Sequence, residues 1–148
     1  MKWTNANKMR KKNKEEGFTL LEVIVAIAIL TFGILAVASM QAASIRGNFF
    51  SSSVTEGTTW AGDQAERLMT LPWDDPLLQD TDGDGIPGLG DRGGNADNNN
   101  VQGRYTINWN VADNTPITDT KTLNVIVTWT DRGAQKTVSL QRVVPRII

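Results

Sequence analysis

Cysteine and histidine are both missing from this 148-residue chain, and its five prolines leave the stretch from Phe18 to Leu71 free of any. Without cysteine no disulfide can brace a small domain, and there is no thiol nucleophile or thiolate metal ligand. Without histidine the commonest general base and the commonest metal ligand are gone as well. These absences weigh against hydrolase and oxidoreductase chemistry, and the chain is expected not to be an enzyme. Charge is absent too, in one place above all. No residue from Val23 to Met40 is charged, so the 23 residues from Phe18 to Met40 carry Glu22 as their single charge. About 20 such residues span a bilayer core, which predicts a transmembrane helix with the lipid bilayer as a partner. The first 17 residues have no apolar run of their own, which excludes an ordinary secretory leader.

What is present is distributed unevenly. Lys2, Lys8, Arg10, Lys11, Lys12 and Lys14 face only Glu15 and Glu16 before the span, whereas nine basic residues face fourteen acidic ones beyond it. Basic residues flanking a span stay on the cytoplasmic side, so the C-terminal part is expected outside the cytoplasm. No strongly basic face follows the span, and no nucleic-acid partner is expected. Leader and span take about 40 residues, leaving roughly 100 for one small domain with a thin core.

Glu22 is costly in a membrane helix, roughly 2.5–3.5 kcal/mol at the centre and less near an end, and such a group is by default functional. The run Gly17-Phe18-Thr19-Leu20-Leu21-Glu22-Val23 resembles the class III signal of type IV pilins and type II secretion pseudopilins. The resemblance implies that a prepilin peptidase cuts after Gly17, removes residues 1–17 as a basic leader and methylates the new N-terminus at Phe18. It implies also that Glu22 pairs with the Phe18 amine of a neighbouring subunit in a filament. The physics agrees with it: a free amine adds to the positive end of the helix dipole, and an anion one turn along compensates it. Two charges that are expensive singly become tolerable as a pair. The same residues also suit a plain single-pass anchor with an uncleaved basic tail and a protonated, silent Glu22. Gly33 interrupts the span, either as a point where the helix can loosen, at a cost of about 1 kcal/mol, or as a close-packing site.

Past residues 18–43 the period becomes amphipathic. Ala42, Ile45, Phe49, Ser52 or Ser53, Glu56, Trp60, Ala61, Ala65, Leu68 and Met69 recur at three- and four-residue steps, so residues 44–71 continue the helix until Pro72 stops it. Within it, Ser51 to Thr59 holds poor helix formers and Gly57, and a bend is expected there. Residues 72–103, rich in Asp, Asn and Gly, read as a long acidic loop in which Asn95 to Asn100 adds nothing specific. Asp80, Asp82, Asp84, the backbone carbonyl of Ile86, and Asp91 follow the spacing of a calcium loop, with glycine at its sixth position. The shorter Asp91 at the twelfth position and Pro87 at the eighth depart from that pattern. A solvated, turn-rich linker would use the same residues.

From residue 104 to 148 the period is two. Tyr105 to Val111, Leu123 to Trp129, and Val138 with Leu140 predict three antiparallel strands, with Asp131-Arg-Gly133-Ala as the tight turn between the last two. Trp109 and Trp129 fall in phase with apolar neighbours and read as core. The fold class is therefore α+β, a long N-terminal helix packed on a three- to four-stranded antiparallel sheet, the order of pilin domains. Leu21-Glu22-Val23, the short domain and the run Val127 to Gly133 look most like a minor pilin of the PilV type. That resemblance implies a structural subunit of the bacterial inner membrane and then of a type IV pilus at the cell surface. Its partners would be the prepilin peptidase, other minor pilins, the major pilin and the inner-membrane assembly platform. A type II secretion minor pseudopilin is the alternative within the class, and a tip adhesin using the acidic loop is the alternative outside it.

Overall fold

The structure, a computed structural model, describes residues 17–146; the charged residues of the leader lie outside them. Contacts divide the chain into one unit ending at Ser44 and another beginning at Ile45. One helix, α1, runs unbroken over the 50 residues Leu20–Met69. The bend expected between Ser51 and Thr59 does not form. Ser53, Thr55, Thr58 and Thr59 each return a hydroxyl to the carbonyl one turn back, at 2.8–3.0 Å. Their side chains thus bond to the helix and do not capture a non-helical backbone. Tertiary packing supplies the rest, because Ser53, Gly57, Ala61, Ala65 and Leu68 form the buried stripe. These are small residues, and they let the sheet come close: a Cβ on Gly57 would stand 3.1 Å from Cζ3 of Trp129. Weak propensity yields to that contact. The predicted stripe is corrected at its upper end, where Ile45 and Phe49 remain exposed.

Four strands, not three, follow the helix: β1 (Asn98–Gln102), β2 (Tyr105–Asp113), β3 (Thr120–Asp131) and β4 (Ala134–Pro145). They form one antiparallel sheet in the order β1-β2-β3-β4. β1 comes from the segment read as loop. Its Asn-rich sequence is poor in strand formers, and it is extended because it ladders onto Tyr105 to Trp109. The turn between β3 and β4 holds Arg132 and Gly133 at φ 51° and 78°, the left-handed pair that a two-residue hairpin requires.

Alternation gives the sheet two faces. On one, Ile107 lies opposite Val127, Trp109 opposite Val125, and Val111 opposite Leu123; all six are buried with Tyr105 and Trp129 beside Ala61, Ala65 and Leu68. Fully burying a side chain such as Leu68 is worth about 1.5–3 kcal/mol. Tyr105 and Trp129 meet with ring centroids 5.6 Å apart, and the Trp109 indole donates to the carbonyl of Leu77 at 3.0 Å. Both tryptophans are core, as their phase predicts. The Tyr105 hydroxyl reaches back to α1, 2.8 Å from the Glu56 carboxylate and 3.1 Å from the Ser53 carbonyl.

The second face is covered as well. Asn108 and Asn110, which alternation would turn towards water, are buried. Three short 3-10 turns, Pro76–Leu78, Pro87–Gly90 and Gly93–Asn95, order the segment between α1 and β1. The Gly93 N–H donates to Asn108 Oδ1 at 2.9 Å and the Asp97 N–H to Asn110 Oδ1 at 3.0 Å. Asn110 donates in turn to the carbonyls of Leu89 and Asp91, and Asn124 also donates to Leu89. At the far end, buried Lys121 donates to the Leu78 carbonyl, lies 3.3 Å from Asp113 Oδ1 and 4.9 Å above the Trp73 ring. The acidic segment is therefore tied to the sheet by side-chain amides and one lysine, in a chain that has no disulfide.

Candidate functional site

The start of α1 is built from a cap. Thr19 Oγ1 accepts from the backbone N–H of Glu22 at 3.2 Å, and the Thr19 carbonyl accepts from Val23. Thr19-Leu-Leu-Glu22 is a capping-box sequence, and such a cap contributes about 1 kcal/mol. The cap fixes where the helix begins, leaving Gly17 and Phe18 ahead of it, with Phe18 82% exposed. A peptide bond in that position is open to a protease. Glu22 sits in the first turn, where the helix dipole favours an anion. Among the described residues its carboxylate has no hydrogen-bond or ion-pair partner. The span that follows has a mean hydropathy of 2.7 with none of it buried, and α1 is long and apolar enough to cross a membrane. Gly33 leaves open space above its Cα, at the edge of a shallow apolar groove with Leu30, Ile34 and Val37.

The second candidate is the carboxylate loop. Asp80, Asp82 and Asp84 each place a carboxylate oxygen within 4.8 Å of the others. Asp80 holds the turn by accepting from the N–H groups of Gly83 and Gly85, at 2.8 and 3.0 Å, and Asp82 accepts from that of Asp84 at 3.2 Å. Gly83 and Gly85 take φ of 75° and 63°, which side chains on Cβ would strain. The Asp84 carboxylate folds over Gly88 so closely that a Cβ there would overlap it. Burial first, then the neighbouring Asp82, and then Asp80 and Asp91 raise the Asp84 carboxyl above its ordinary value. Asp91 stands outside the group of three, near enough for its charge to act on Asp84. Ile86 is exposed and its carbonyl accepts from Leu89 at 3.3 Å.

Residues 12–38 match the family model described as the prokaryotic N-terminal methylation motif. The match takes in Gly17, Phe18 and Glu22 and most of the apolar span. This chain carries a prokaryotic N-terminal methylation motif. That motif supports a type IV pilin-like or pseudopilin precursor processed by prepilin peptidase and anchored in the membrane by its apolar helix. No curated protein and no solved structure matches the chain.

The structure thus brings Gly17, Phe18 and Glu22 to one exposed helix start, and Asp80, Asp82 and Asp84 to one turn. Two residues that matter to these sites escape a reading of the sequence by pattern. Thr19 is one, although its spacing to Glu22 is a recognisable signal. Asp97 is the other. Its Oδ1 accepts from the Thr81 N–H and hydroxyl at 2.6 and 2.8 Å, and its Oδ2 accepts from the Val111 N–H at 2.8 Å. One carboxylate therefore clamps the carboxylate loop to the edge of β2 beyond β1. No local spacing announces a contact across 14 to 16 residues.

Proposed function

We propose that the chain is a minor pilin, a structural subunit and not an enzyme. Prepilin peptidase trims it after Gly17 and methylates Phe18. The subunit waits in the bacterial inner membrane with its N-terminus cytoplasmic and the domain of β1 to β4 periplasmic. It then joins other minor pilins and the major pilin, through the inner-membrane assembly platform, to initiate or decorate a type IV pilus. The observation that carries this reading is the unpartnered Glu22 carboxylate on the first turn of a fully exposed apolar helix, inside the methylation motif. A lone carboxylate at the mouth of a membrane helix is stabilised by a cation, and a trimmed neighbour offers one at its Phe18 amine. The exposed apolar surface of residues 20–40 exchanges lipid for neighbouring helices at little cost, because lipid tails are as apolar as its side chains.

Deleting the gene and scoring surface pili beside export of a secreted exoenzyme tests the assignment. Loss of pili with normal export is the expected result; loss of export with normal pili assigns the chain to a type II secretion pseudopilus.

We also infer a structural calcium ion in the carboxylate loop. The donor set fits: three carboxylates in mutual reach are hard oxygen ligands, and the raised Asp84 carboxyl shows that they repel one another. Asp80, Asp82 and Asp84 would hold the ion, with the Ile86 carbonyl and Asp91 as the further donors of the loop pattern. The ion would neutralise the three charges and cross-link a loop without a disulfide. Calorimetric titration of calcium into the full chain in detergent should give binding that Asp80→Ala with Asp82→Ala abolishes. No heat with the native chain would mean a linker.

A further inference from the structure

A groove of about 330 Å3 lies in the second unit between the C-terminal part of α1 and β1. Trp60, Asp63, Gln64 and Arg67 line it from the helix, and Asn100 and Gln102 from the strand. Gln64 is the telling residue. It is only 8% exposed, yet its amide, with two donors and an acceptor, has no hydrogen-bond partner among the described residues. Polar groups so deeply buried are paired in the great majority of cases, so the partner of Gln64 is whatever fills the groove.

A second observation comes from β1. Asn98, Asn100 and Gln102 alternate onto one face of the strand, half-buried while Asn99 and Val101 are exposed. The Asn98 amide nitrogen is buried without a partner. Asn100 uses its oxygen on the neighbouring Val101 N–H, leaving its nitrogen unpaired. Side-chain amides thus face the groove from both walls, and their donors and acceptors are not consumed by the protein. The space is on the order of ten times the roughly 30 Å3 share of one water, large enough for an organic ligand.

We propose that this groove binds a neutral sugar ring. A pyranose presents hydroxyls that both donate and accept, and amides and a carboxylate such as Asp63 complement both roles. Its C–H face packs on an aromatic surface, and Trp60 is fixed for that purpose because its other parts pack on the core. Asp63 and Glu66 outnumber Arg67 in the lining, leaving one net negative charge, so an acidic sugar is disfavoured. A peptide side chain would fill the volume and leave most of the amides unmatched. The groove is separate from the carboxylate loop and from the helix start, and its ligand is independent of the pilus assignment.

Saturation-transfer NMR on the full chain in a zwitterionic, sugar-free detergent tests it, with glucose, galactose, N-acetylglucosamine, lactose and glucuronic acid as probes. Transfer to the C–H protons of at least one neutral sugar is expected, stronger than to glucuronic acid. Gln64→Leu, which fills the same space without an amide, should reduce that transfer at least fivefold with no fall in the unfolding midpoint. Trp60→Ala should abolish it. No transfer to any neutral sugar, or transfer undiminished in a folded Gln64→Leu chain, overturns the proposal.

Discussion

Replacing Gly57 by alanine separates two effects that ordinarily act together. Alanine in a helix interior is favoured over glycine by about 1 kcal/mol. Gly62, five residues on, realises that gain, because nothing lies within 4 Å of the Cβ it would acquire. Gly57→Ala receives the same backbone benefit and meets Trp129 Cζ3 at 3.1 Å, with Cε3 and Cη2 at 3.6 Å. The indole has no room to retreat, since Trp129 is 3% exposed and leans on Tyr105. Overpacking of this kind costs about 1–3 kcal/mol. Gly62→Ala should therefore be about 1 kcal/mol more stable than the native chain and Gly57→Ala about 1 kcal/mol less stable, a gap near 2 kcal/mol. Urea unfolding of the full chain in detergent, followed by tryptophan fluorescence and near-UV circular dichroism, reads both midpoints at a common slope. Equal stabilisation by the two substitutions would refute the tight seating of α1 on the sheet.

Asp84→Asn tests the electrostatics of the carboxylate loop. The Asp84 carboxyl is raised above 3.8, so between that value and its folded-state value the folded chain holds the proton that the unfolded chain has lost. Stability from this group therefore falls as pH rises through the window, and the whole penalty is present at neutral pH. In a chelating buffer Asp84→Asn should be more stable than the native chain at pH 7 and lose that advantage below about pH 3.8, with calcium reversing the order at pH 7. A lower midpoint for the variant at pH 7 without calcium would contradict this. Lys121→Met keeps most of the buried stem and removes the ammonium from the Leu78 carbonyl, Asp113 and Trp73. Because Asp113 is 43% exposed and can rehydrate, the expected loss is roughly 2 kcal/mol, below that of a fully buried pair. An unchanged urea midpoint would count against the lysine as the tie between loop and sheet.

The parts of the fold that announce themselves in the sequence are those whose own residues carry a period. The apolar run into Met40, the alternation of Tyr105, Ile107, Trp109 and Val111, and the Arg132-Gly133 turn are local signals, and the structure realises each. What escaped was decided by partners far along the chain. Asn98–Gln102 is a strand because of β2, and Ser51 to Thr59 stays helical because Ser53 and Gly57 are where the sheet approaches. Asn108 and Asn110 have the phase of solvent-facing residues and are instead the anchors of the acidic segment. The one sequence hint was their type, since asparagine is depleted in strands. At the sites, Gly17, Phe18 and Glu22 were legible because processing is read locally from a contiguous motif. Thr19 was legible by its spacing to Glu22, whereas Asp97 and Gln64 acquire their roles only when the chain is folded.

The account rests most heavily on Glu22 as the charge that admits a trimmed subunit to a filament. Native, Glu22→Asp and Glu22→Ala chains, each shown by mass to have lost residues 1–17 and gained the Phe18 methyl group, would be quantified in purified filaments. Aspartate keeps the anion one turn from the helix start and should retain most incorporation, while alanine should fall at least tenfold, equivalent to about 1.4 kcal/mol per lost pairing. Alanine chains that are processed and enter filaments as well as native ones would contradict the central claim.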